Sequence, residues 1–245
     1  MKLITLNAWG KNGPFKQRWD YFLEELAALK PDLLCLQEVI DDELTQRLRD
    51  VLDLRHWVSS YKAGLLILSQ FPILDSRILS YQHCSSSEMN YERHAIITKI
   101  KIGKKELIIA NTHLAWREED RPTRDSQVRE LLDAVKKTGF PTIICGDLND
   151  TPESSPLKQA GMAGYENLIQ TYHPGTITWD NSNPFIQTHS VKFPDRQIDY
   201  ILTHESVSKI LKPKTCRLAF NRLNDKLIYP SDHYGIFSEF ETPSS

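Results

Sequence analysis

The order of strand-like and helix-like segments along this 245-residue chain predicts an α/β fold. Two stretches each contain a strand, an amphipathic helix and a second strand. A polar side chain follows every one of these strands: Asn7 and Glu38 in the first stretch, His113 and Asp147 in the second. Crossover units of this kind bring consecutive strand ends to one side of a sheet, so the four side chains are predicted around one cleft. Coincidence is the alternative, because polar residues commonly follow strands.

Length and composition are those of an ordinary soluble globular protein. Hydrophobic residues make up 40% of the chain and charged residues 25%, and 30 basic against 32 acidic side chains leave a formal charge of −2. This balance gives no chain-wide positive field for duplex nucleic acid, although a local basic patch is compatible with it. Because no linker, repeat or low-complexity tract divides the sequence, we expect one domain over residues 1–245.

The cysteines and the N-terminus indicate a reducing compartment. Cys35, Cys84, Cys145 and Cys216 have no CxxC spacing, and two of them lie inside apolar strand-like runs. Met1 is followed at once by a strand-like run rather than by a charged leader and a long apolar stretch, and no run reaches transmembrane length. We expect a cytoplasmic protein without a transmembrane segment, and leaderless secretion is the alternative.

The first third of the chain begins with a short apolar strand at residues 2–7. Apolar residues at helical spacing over 19–29 predict a helix, which Pro31 ends. The next strand, 33–39, carries Glu38 near its end. A carboxylate there is costly to bury without a cationic partner, and a metal ion would serve; an ion pair with an arginine is the structural alternative.

The middle of the chain alternates short strands with glycine and proline breakers such as Gly64 and Pro72. A turn at Gly103 and Lys104 joins two of the strands into a hairpin, and the second strand ends in His113. The predicted elements are a helix at 41–53, strands at 57–58, 65–68, 73–79, 93–100 and 107–113, a loop at 85–90, and a helix at 124–137.

The run PTIICGDLND, residues 141–150, is a strand that leads into two oxygen-bearing side chains. Side chains alternate along a strand, so Asp147 and Asn149 are predicted on one face, with Leu148 turned toward the core. A carboxylate beside a carboxamide can bind a hard cation or orient a water molecule or a phosphate oxygen, and Gly146 permits close backbone approach. An Asx turn would explain the same residues without any function.

The last third of the chain is less regular. Glycine, proline and asparagine cluster over 161–194, where no regular structure is assigned. A strand at 197–202 carries Asp199 among apolar residues, and Asp232 and His233 stand just before the final strand. The adjacent Asp-His pair is weak evidence alone, because a histidine near an aspartate is often only a surface pair.

Taken in order, the motifs LNAWG, LQEV, NTHL, GDLND, QIDYI and SDHYG closely resemble the endonuclease/exonuclease/phosphatase superfamily, and the resemblance extends from Leu3 to Phe240. It implies an α/β (α+β) fold in the form of a four-layer sandwich, with two facing β-sheets flanked by helices. It also implies that the protein hydrolyses a phosphoester with water and with a divalent metal ion, Mg²⁺ or Mn²⁺.

The resemblance also assigns metal ligands. It implies that Glu38 is the principal ligand, supported by Asn7 and Asp232. Oxygen ligands of this kind suit a hard divalent cation, which neutralises the negative charge that develops on a phosphate. Trp9 stands where some nucleases of the family carry an acidic residue, so a second metal ion near the first strand is not implied.

The remaining motif residues receive catalytic roles from the resemblance. Asp147 would orient or deprotonate the attacking water, and Asn149 would hold that water or a phosphate oxygen. His113 and His233 would contact the phosphate, and Asp199 would orient His233. These roles are physically consistent, because a carboxylate can accept the proton while imidazoles donate to the oxygens of the transition state.

Four more side chains are expected to face the substrate: Trp9, Arg93, Trp116 and Trp179. For the aromatic residues, pinning a loop to the core is the more common role. The LNAWG motif looks like the sphingomyelinases of the family, whereas Thr178-Trp179-Asp180 looks like its tyrosyl-DNA phosphodiesterases, so the substrate stays open.

The main hypothesis is a monomeric, metal-dependent phosphodiesterase that acts on a nucleic acid or on a phospholipid headgroup. The alternatives are a phosphatase that removes a monoester from an inositol phosphate or a similar molecule, and a non-catalytic binding protein that retains the fold.

Overall fold

The structure, a computed structural model, describes residues 1–85 and 92–242. Within these ranges, twelve strands form two six-stranded sheets. The strands are β1 (Lys2–Asn7), β2 (Leu33–Gln37), β3 (His56–Ser60), β4 (Leu65–Ser69), β5 (Ile73–Ser80), β6 (His94–Ile102), β7 (Lys105–His113), β8 (Thr142–Asp147), β9 (Tyr165–Asn167), β10 (Asp199–His204), β11 (Lys212–Ala219) and β12 (Gly235–Glu241). The helices are α1 (Phe15–Leu29), α2 (Asp42–Val51), α3 (Arg121–Lys136), α4 (Ser155–Met162) and α5 (Leu168–Tyr172).

Both predicted strand–helix–strand units are present, one in each sheet. The first sheet has the order β11-β12-β1-β2-β4-β3 and the second the order β5-β6-β7-β8-β10-β9. Strands β1 and β2 are parallel, as are β7 and β8, and the other neighbours are antiparallel. Each crossover helix, α1 or α3, therefore returns the chain to the same edge of its sheet.

The two sheets face each other across an apolar core. Side chains from both inner faces meet there, among them Leu33 and Ile67 from one sheet and Ile109, Ile143 and Ile201 from the other. The outer face of the first sheet is covered by α1 and α2, and that of the second by α3 and α4. These layers confirm the expected α/β sandwich of two facing sheets flanked by helices.

Several elements differ from the sequence-based expectations. Helix α3 begins three residues earlier than predicted, with Pro122 in its first turn, where a missing N–H costs nothing. Strand β10 begins at Asp199 rather than at 197. The predicted loop at 85–90 lies outside the described residues except for Ser85.

The elements that the sequence did not predict are α4, α5, β9 and β11. Strand β11 is at the edge of its sheet and alternates polar and partly buried residues, including Pro213, so it lacks the apolar run that marks a central strand. Within the described residues, none of the helices combines the length and the apolar composition needed to cross a bilayer.

Candidate active site

The polar residues that follow the strands of both sheets meet at one end of the sandwich. Asn7 lies beside Gln37 in the parallel register of β1 and β2, which places Glu38 next to it. In the second sheet, His113 pairs with Asp147, and Asp147 with Asp199. The Asn7 Nδ2 donates to Asp147 Oδ2 at 3.1 Å and so links the two strand–helix–strand units.

These side chains line a pocket of about 230 Å³. Its wall contains every residue that the sequence predicted for the site except Asp199 and Arg93. Asp199 is buried behind His233, and Arg93 is 5% exposed and lies outside this wall, although its charge acts on Glu38 and His113. Residues that the sequence did not single out also line the pocket: Asn12, His189, Ser190, Val191, Phe193, Arg196 and Ile198.

A larger groove, of about 800 Å³, lies at the other end of β8, where Thr142 is part of its wall. That wall carries Phe140 and Met162 together with the basic residues Lys136 and Lys209. The clustered carboxylates and histidines line the smaller pocket, which is therefore the candidate active site.

Asp147 occupies the centre of the pocket and is 1% exposed. Its Oδ1 accepts from the N–H of Asn149 at 2.9 Å, and its Oδ2 lies 3.4 Å from Nε2 of His113 and 3.9 Å from Nε2 of His233. Burial and the charge of Asp199 raise the pKa of Asp147 to about 7, although His233 and the hydrogen bonds from Asn7 and Asn149 oppose the rise. Such a carboxyl group can exchange a proton with water near neutral pH.

Gly146 and Leu148 explain how β8 presents Asp147. A Cβ at position 146 would collide with the carbonyl oxygen of Thr112, so only glycine lets β7 and β8 approach this closely. Leu148 is buried as predicted. Asn149 adopts a left-handed φ of 54°, and its Nδ2 donates to the carbonyl of Leu114 at 3.0 Å. An Asx-type turn is present, but it is closed by Asp147 Oδ1 and the N–H of Asn149 and not by the side chain of Asn149, and both Asp147 and Asn149 line the pocket.

The two histidines have opposite electrostatic environments. Burial alone would lower the pKa of His233, but the carboxylates of Asp199, Asp232 and Asp147 and a 2.9 Å hydrogen bond to Asp199 raise it to about 10. Burial and the positive charges of Arg93 and His233 hold the pKa of His113 well below its usual value. At neutral pH His233 is therefore an imidazolium, and His113 is neutral.

Glu38 follows β2 with a left-handed φ of 59° and is half-buried. Its Oε1 accepts from Asn7 Nδ2 at 3.0 Å, and burial together with the charge of Asp232 raises its pKa. Within the described residues no ion pair joins Glu38 to an arginine. Glu38 and Asp232 are therefore neighbouring carboxylates without a lysine or arginine partner among the described residues. Such a pair of oxygen donors could hold a divalent cation.

The side-chain orientation of Asn7 and a second cluster of ligand atoms also bear on where a cation could bind. The amide oxygen of Asn7 accepts from the N–H of Trp9 at 3.0 Å, so the atom that Asn7 presents to Glu38 is a hydrogen-bond donor, and its role as a ligand stays a prediction. Asp147, Asp199 and His233 bring ligand atoms within 4.8 Å of one another. That group could hold a cation only after His233 loses its proton.

A histidine that the sequence did not single out contacts a predicted metal ligand. His189 Nε2 lies 2.8 Å from Oδ2 of Asp232, and its ring packs 5.9 Å from Trp9 and 5.2 Å from Trp179. His189 is a single histidine in an irregular segment, so no spacing or motif could have identified it. Arg196, by contrast, directly precedes the QIDYI motif and could have been examined for that reason.

The predicted aromatic residues divide into two groups. Trp9 and Trp179 are each 7% exposed; Trp9 packs 5.0 Å from Phe185, and Trp179 packs 5.1 Å from His233, so both hold parts of the site together. Trp116 is half-buried and meets Phe193 edge-on at 6.4 Å, where its ring borders the pocket.

Comparison with known proteins identifies the relatives of this chain. Residues 4–233 match the sequence model of the Endonuclease/Exonuclease/phosphatase family. Protein angel of Drosophila melanogaster is 29% identical over 164 residues, which cover 59% of this chain and 46% of that protein. The 5'-tyrosyl-DNA phosphodiesterase of Caenorhabditis elegans is 24% identical over 221 residues, which cover 86% and 59% of the two chains. This chain therefore spans less than two thirds of the length of either relative.

Solved structures support the same fold. The crystal structure of D. rerio TDP2 complexed with a single-strand DNA product has a TM-score of 0.82, with 21% sequence identity and 99% coverage of both chains. The human Nocturnin catalytic domain with a bound sulfate anion has a TM-score of 0.77, with 20% identity, and covers 99% of this chain and 94% of that chain. At these identities the similarity establishes the architecture alone.

Proposed function

This chain belongs to the Endonuclease/Exonuclease/phosphatase family, and we propose that it is a divalent-metal-dependent phosphodiester hydrolase acting on nucleic acid. The observation that carries the proposal is Asp147, a buried carboxyl group with a pKa raised to about 7, placed between neutral His113 and charged His233. A base and a cationic donor on one pocket wall are what hydrolysis of a phosphoester by water requires.

In the proposed reaction, Asp147 accepts a proton from the attacking water. Asn149, whose amide nitrogen is engaged by Leu114, offers its side-chain oxygen to that water. The imidazolium of His233 donates to a phosphate oxygen, and its 2.9 Å bond to Asp199 fixes the ring and maintains its charge. His113, as a neutral imidazole, contacts the phosphate without adding a second positive charge.

We propose that Glu38 and Asp232 hold the metal ion, with Asn7 positioning Glu38 through its amide. When bound, the cation would neutralise negative charge that develops on the phosphate oxygens. Oxygen donors favour Mg²⁺ or Mn²⁺ over zinc, which usually takes nitrogen and thiolate ligands.

Support for nucleic acid as the substrate comes from the relatives. One matched protein is a 5'-tyrosyl-DNA phosphodiesterase, and one structural neighbour was solved with a single-strand DNA product. A phospholipid headgroup is the less supported substrate. The single domain over residues 1–245, the monomeric state and the cytoplasmic location stay predictions from the sequence.

The test is hydrolysis of two chromogenic esters with one leaving group: the 4-nitrophenyl diester of thymidine 5′-phosphate and 4-nitrophenyl phosphate, a monoester. We expect metal-dependent release of nitrophenol from the diester and little from the monoester. Turnover of the monoester alone would replace the proposal with a phosphatase. No turnover of either ester, or of a nucleic-acid and phospholipid panel with Mg²⁺ and Mn²⁺, would indicate a binding protein.

A further inference from the structure

Arg196 forms part of the pocket wall and is held rigidly there. Its backbone N–H donates to the carbonyl of Trp179 at 3.0 Å, and the N–H of Trp179 donates back at 2.9 Å. The guanidinium carbon lies 3.9 Å from the ring centroid of Phe193, so the planar group stacks on an aromatic face. The position of this cation is therefore set before any ligand arrives.

The guanidinium of Arg196 has no polar partner among the described residues. No hydrogen bond or ion pair joins it to another side chain or to a carbonyl, and its buried Nε is unsatisfied. The adjacent carboxylate of Asp195 is engaged elsewhere, since it accepts from the backbone and the side chain of Asn181 at 2.8 and 2.6 Å. Burial lowers the pKa of Arg196, and the charges of Asp147, Glu118 and Asp150 partly offset that effect without forming an ion pair with it.

Two other buried arginines near the site illustrate how a guanidinium with a structural role is bonded in this fold. Arg124 binds Asp150 Oδ2 at 2.9 Å and the carbonyl of Ala115 at 3.1 Å. Arg18 donates to backbone carbonyls of two segments that are distant in the chain, including Pro230 at 2.6 Å and Asn12 at 2.8 Å. A half-buried cation without such partners is costly, and an anionic ligand in the pocket would compensate it.

We propose that Arg196 binds a second phosphate, adjacent to the one that is cleaved, so that the enzyme prefers substrates with two neighbouring phosphates. This inference rests on the proposed function. Arg196 and Asp147 line the same pocket but form no ion pair with each other, so the guanidinium keeps its donors for an anion in that pocket. Its fork of donors matches phosphate oxygens.

The surroundings of Arg196 suit the part of a nucleotide that links two phosphates. Phe193 lies 6.4 Å from the rings of both Trp116 and Trp179, so aromatic faces and edges border the same side of the pocket. Aromatic side chains bind bases and sugars through stacking and apolar contact, without reading their sequence. A nucleotide whose 5′-phosphate is cleaved would then place its 3′-phosphate at Arg196.

The experiment compares the 4-nitrophenyl diester of thymidine 5′-phosphate with the same compound carrying an additional 3′-phosphate. We expect the wild type to hydrolyse the 3′-phosphorylated compound with a kcat/KM about tenfold to hundredfold higher, the range for a charge-assisted hydrogen-bond pair. Arg196→Met should reduce this ratio to near one, and Arg196→Lys should retain part of it, since lysine keeps the charge but not the fork. The control Arg55→Met, at a surface position paired with Asp53, should leave the ratio unchanged.

Two results would overturn the inference. Equal losses on both compounds in Arg196→Met would show that Arg196 contacts the cleaved phosphate or only supports the fold. A wild-type ratio near one would show that no site for a second phosphate exists. Thermal unfolding of each variant separates a binding effect from a loss of structure, because a variant that unfolds at the wild-type temperature has lost only the ligand contact.

A binding measurement keeps this inference separate from the proposed function. Calorimetric titration with thymidine 3′,5′-bisphosphate and with thymidine 5′-phosphate, both in EDTA, requires no turnover. Tighter binding of the bisphosphate by the wild type, lost in Arg196→Met, would support the second phosphate site. Failure to hydrolyse either ester would contradict the proposed function and leave this binding result standing. Equal affinity of the wild type for both nucleotides would overturn the inference.

Discussion

The two strand–helix–strand units have the same topology, but their carboxylates have different surroundings. Glu38, at the end of the unit β1–α1–β2, accepts one side-chain hydrogen bond, from Asn7, and faces the negative charge of Asp232. Asp147, at the end of β7–α3–β8, accepts hydrogen bonds from Asn149 and Asn7 and is flanked by His113 and His233. The same supersecondary unit thus presents two different carboxylates. No described side chain forms an ion pair with Glu38, whereas the surroundings of Asp147 suit proton transfer.

Removal of the metal ion should have the largest effect on activity. Excess EDTA should abolish hydrolysis of a nucleotide diester, and added Mg²⁺ or Mn²⁺ should restore it, because Glu38 and Asp232 have no lysine or arginine partner among the described residues. Glu38→Gln should stay inactive at moderate metal concentrations, whereas the exposed control Glu43→Gln should behave as the wild type. Full activity in EDTA would show that the Glu38 side of the site holds no essential metal.

Replacing the proton-transfer carboxylate should have the next largest effect. Asp147→Asn is expected to lower kcat by roughly 10²–10⁴, the range for loss of a general base, while the folded structure is retained because side-chain volume is preserved. Steady-state kinetics with circular dichroism check both points, and Asp50→Asn on the exposed face of α2 is the matched control. An Asp147→Asn variant with normal kcat would move the base to another residue.

The pairing of His233 with Asp199 predicts a smaller and non-additive pair of effects. His233→Ala should lower kcat by on the order of 10²-fold with little change in KM, since the imidazolium acts mainly in the transition state. Asp199→Asn should cost less, and the double variant should cost little more than His233→Ala. Additive losses in log kcat/KM would mean that Asp199 acts independently of His233.

The pKa shifts of Asp147 and His233 predict how kcat/KM depends on pH. A raised pKa keeps Asp147 protonated up to about pH 7, so kcat/KM should rise as pH passes that value and frees the base. His233 stays charged up to about pH 10, so the rate should fall above it. Asp199→Asn removes a carboxylate that raises the pKa of His233, and the alkaline limb should move down by about one pH unit. If the alkaline limb of Asp199→Asn stays at the wild-type pH, the limb reports the titration of a group other than His233.

The smallest expected effect is on thermal stability. A metal ion that binds only the folded chain stabilises it by about 1.4 kcal/mol at ten times its Kd, which raises Tm by about 3–6 °C for a chain of this size. This rise with Mg²⁺ should be absent in Glu38→Gln and present in Asp199→Asn. The opposite pattern would place the cation on the Asp147 side.

The sequence alone was sufficient to predict the two crossover units and the strand ends they carry. Side-chain alternation in β8 follows from local geometry, so the run from Gly146 to Asn149 itself assigns Asp147 and Asn149 to one face and Leu148 to the core. The two strand ends of each unit meet at one edge of the sheet because a crossover helix joins parallel strands. Strand β11 could not be predicted, because an edge strand is held by its neighbour β12 rather than by an apolar run of its own.

Tertiary structure decided what each of these side chains can do. The charge of His233 depends on the carboxylates of Asp199 and Asp147, which lie on β10 and β8. The neutrality of His113 depends first on burial and then on the charges of Arg93 and His233. His189 reaches Asp232 only because an irregular segment folds over the pocket. Burial and charge act through space over a few ångströms, whereas a sequence orders residues along the chain. The strand ends could therefore be predicted from the sequence, and the pairing of Asp199 with His233 from the resemblance, but the protonation of the site residues and the contact of His189 with Asp232 could not.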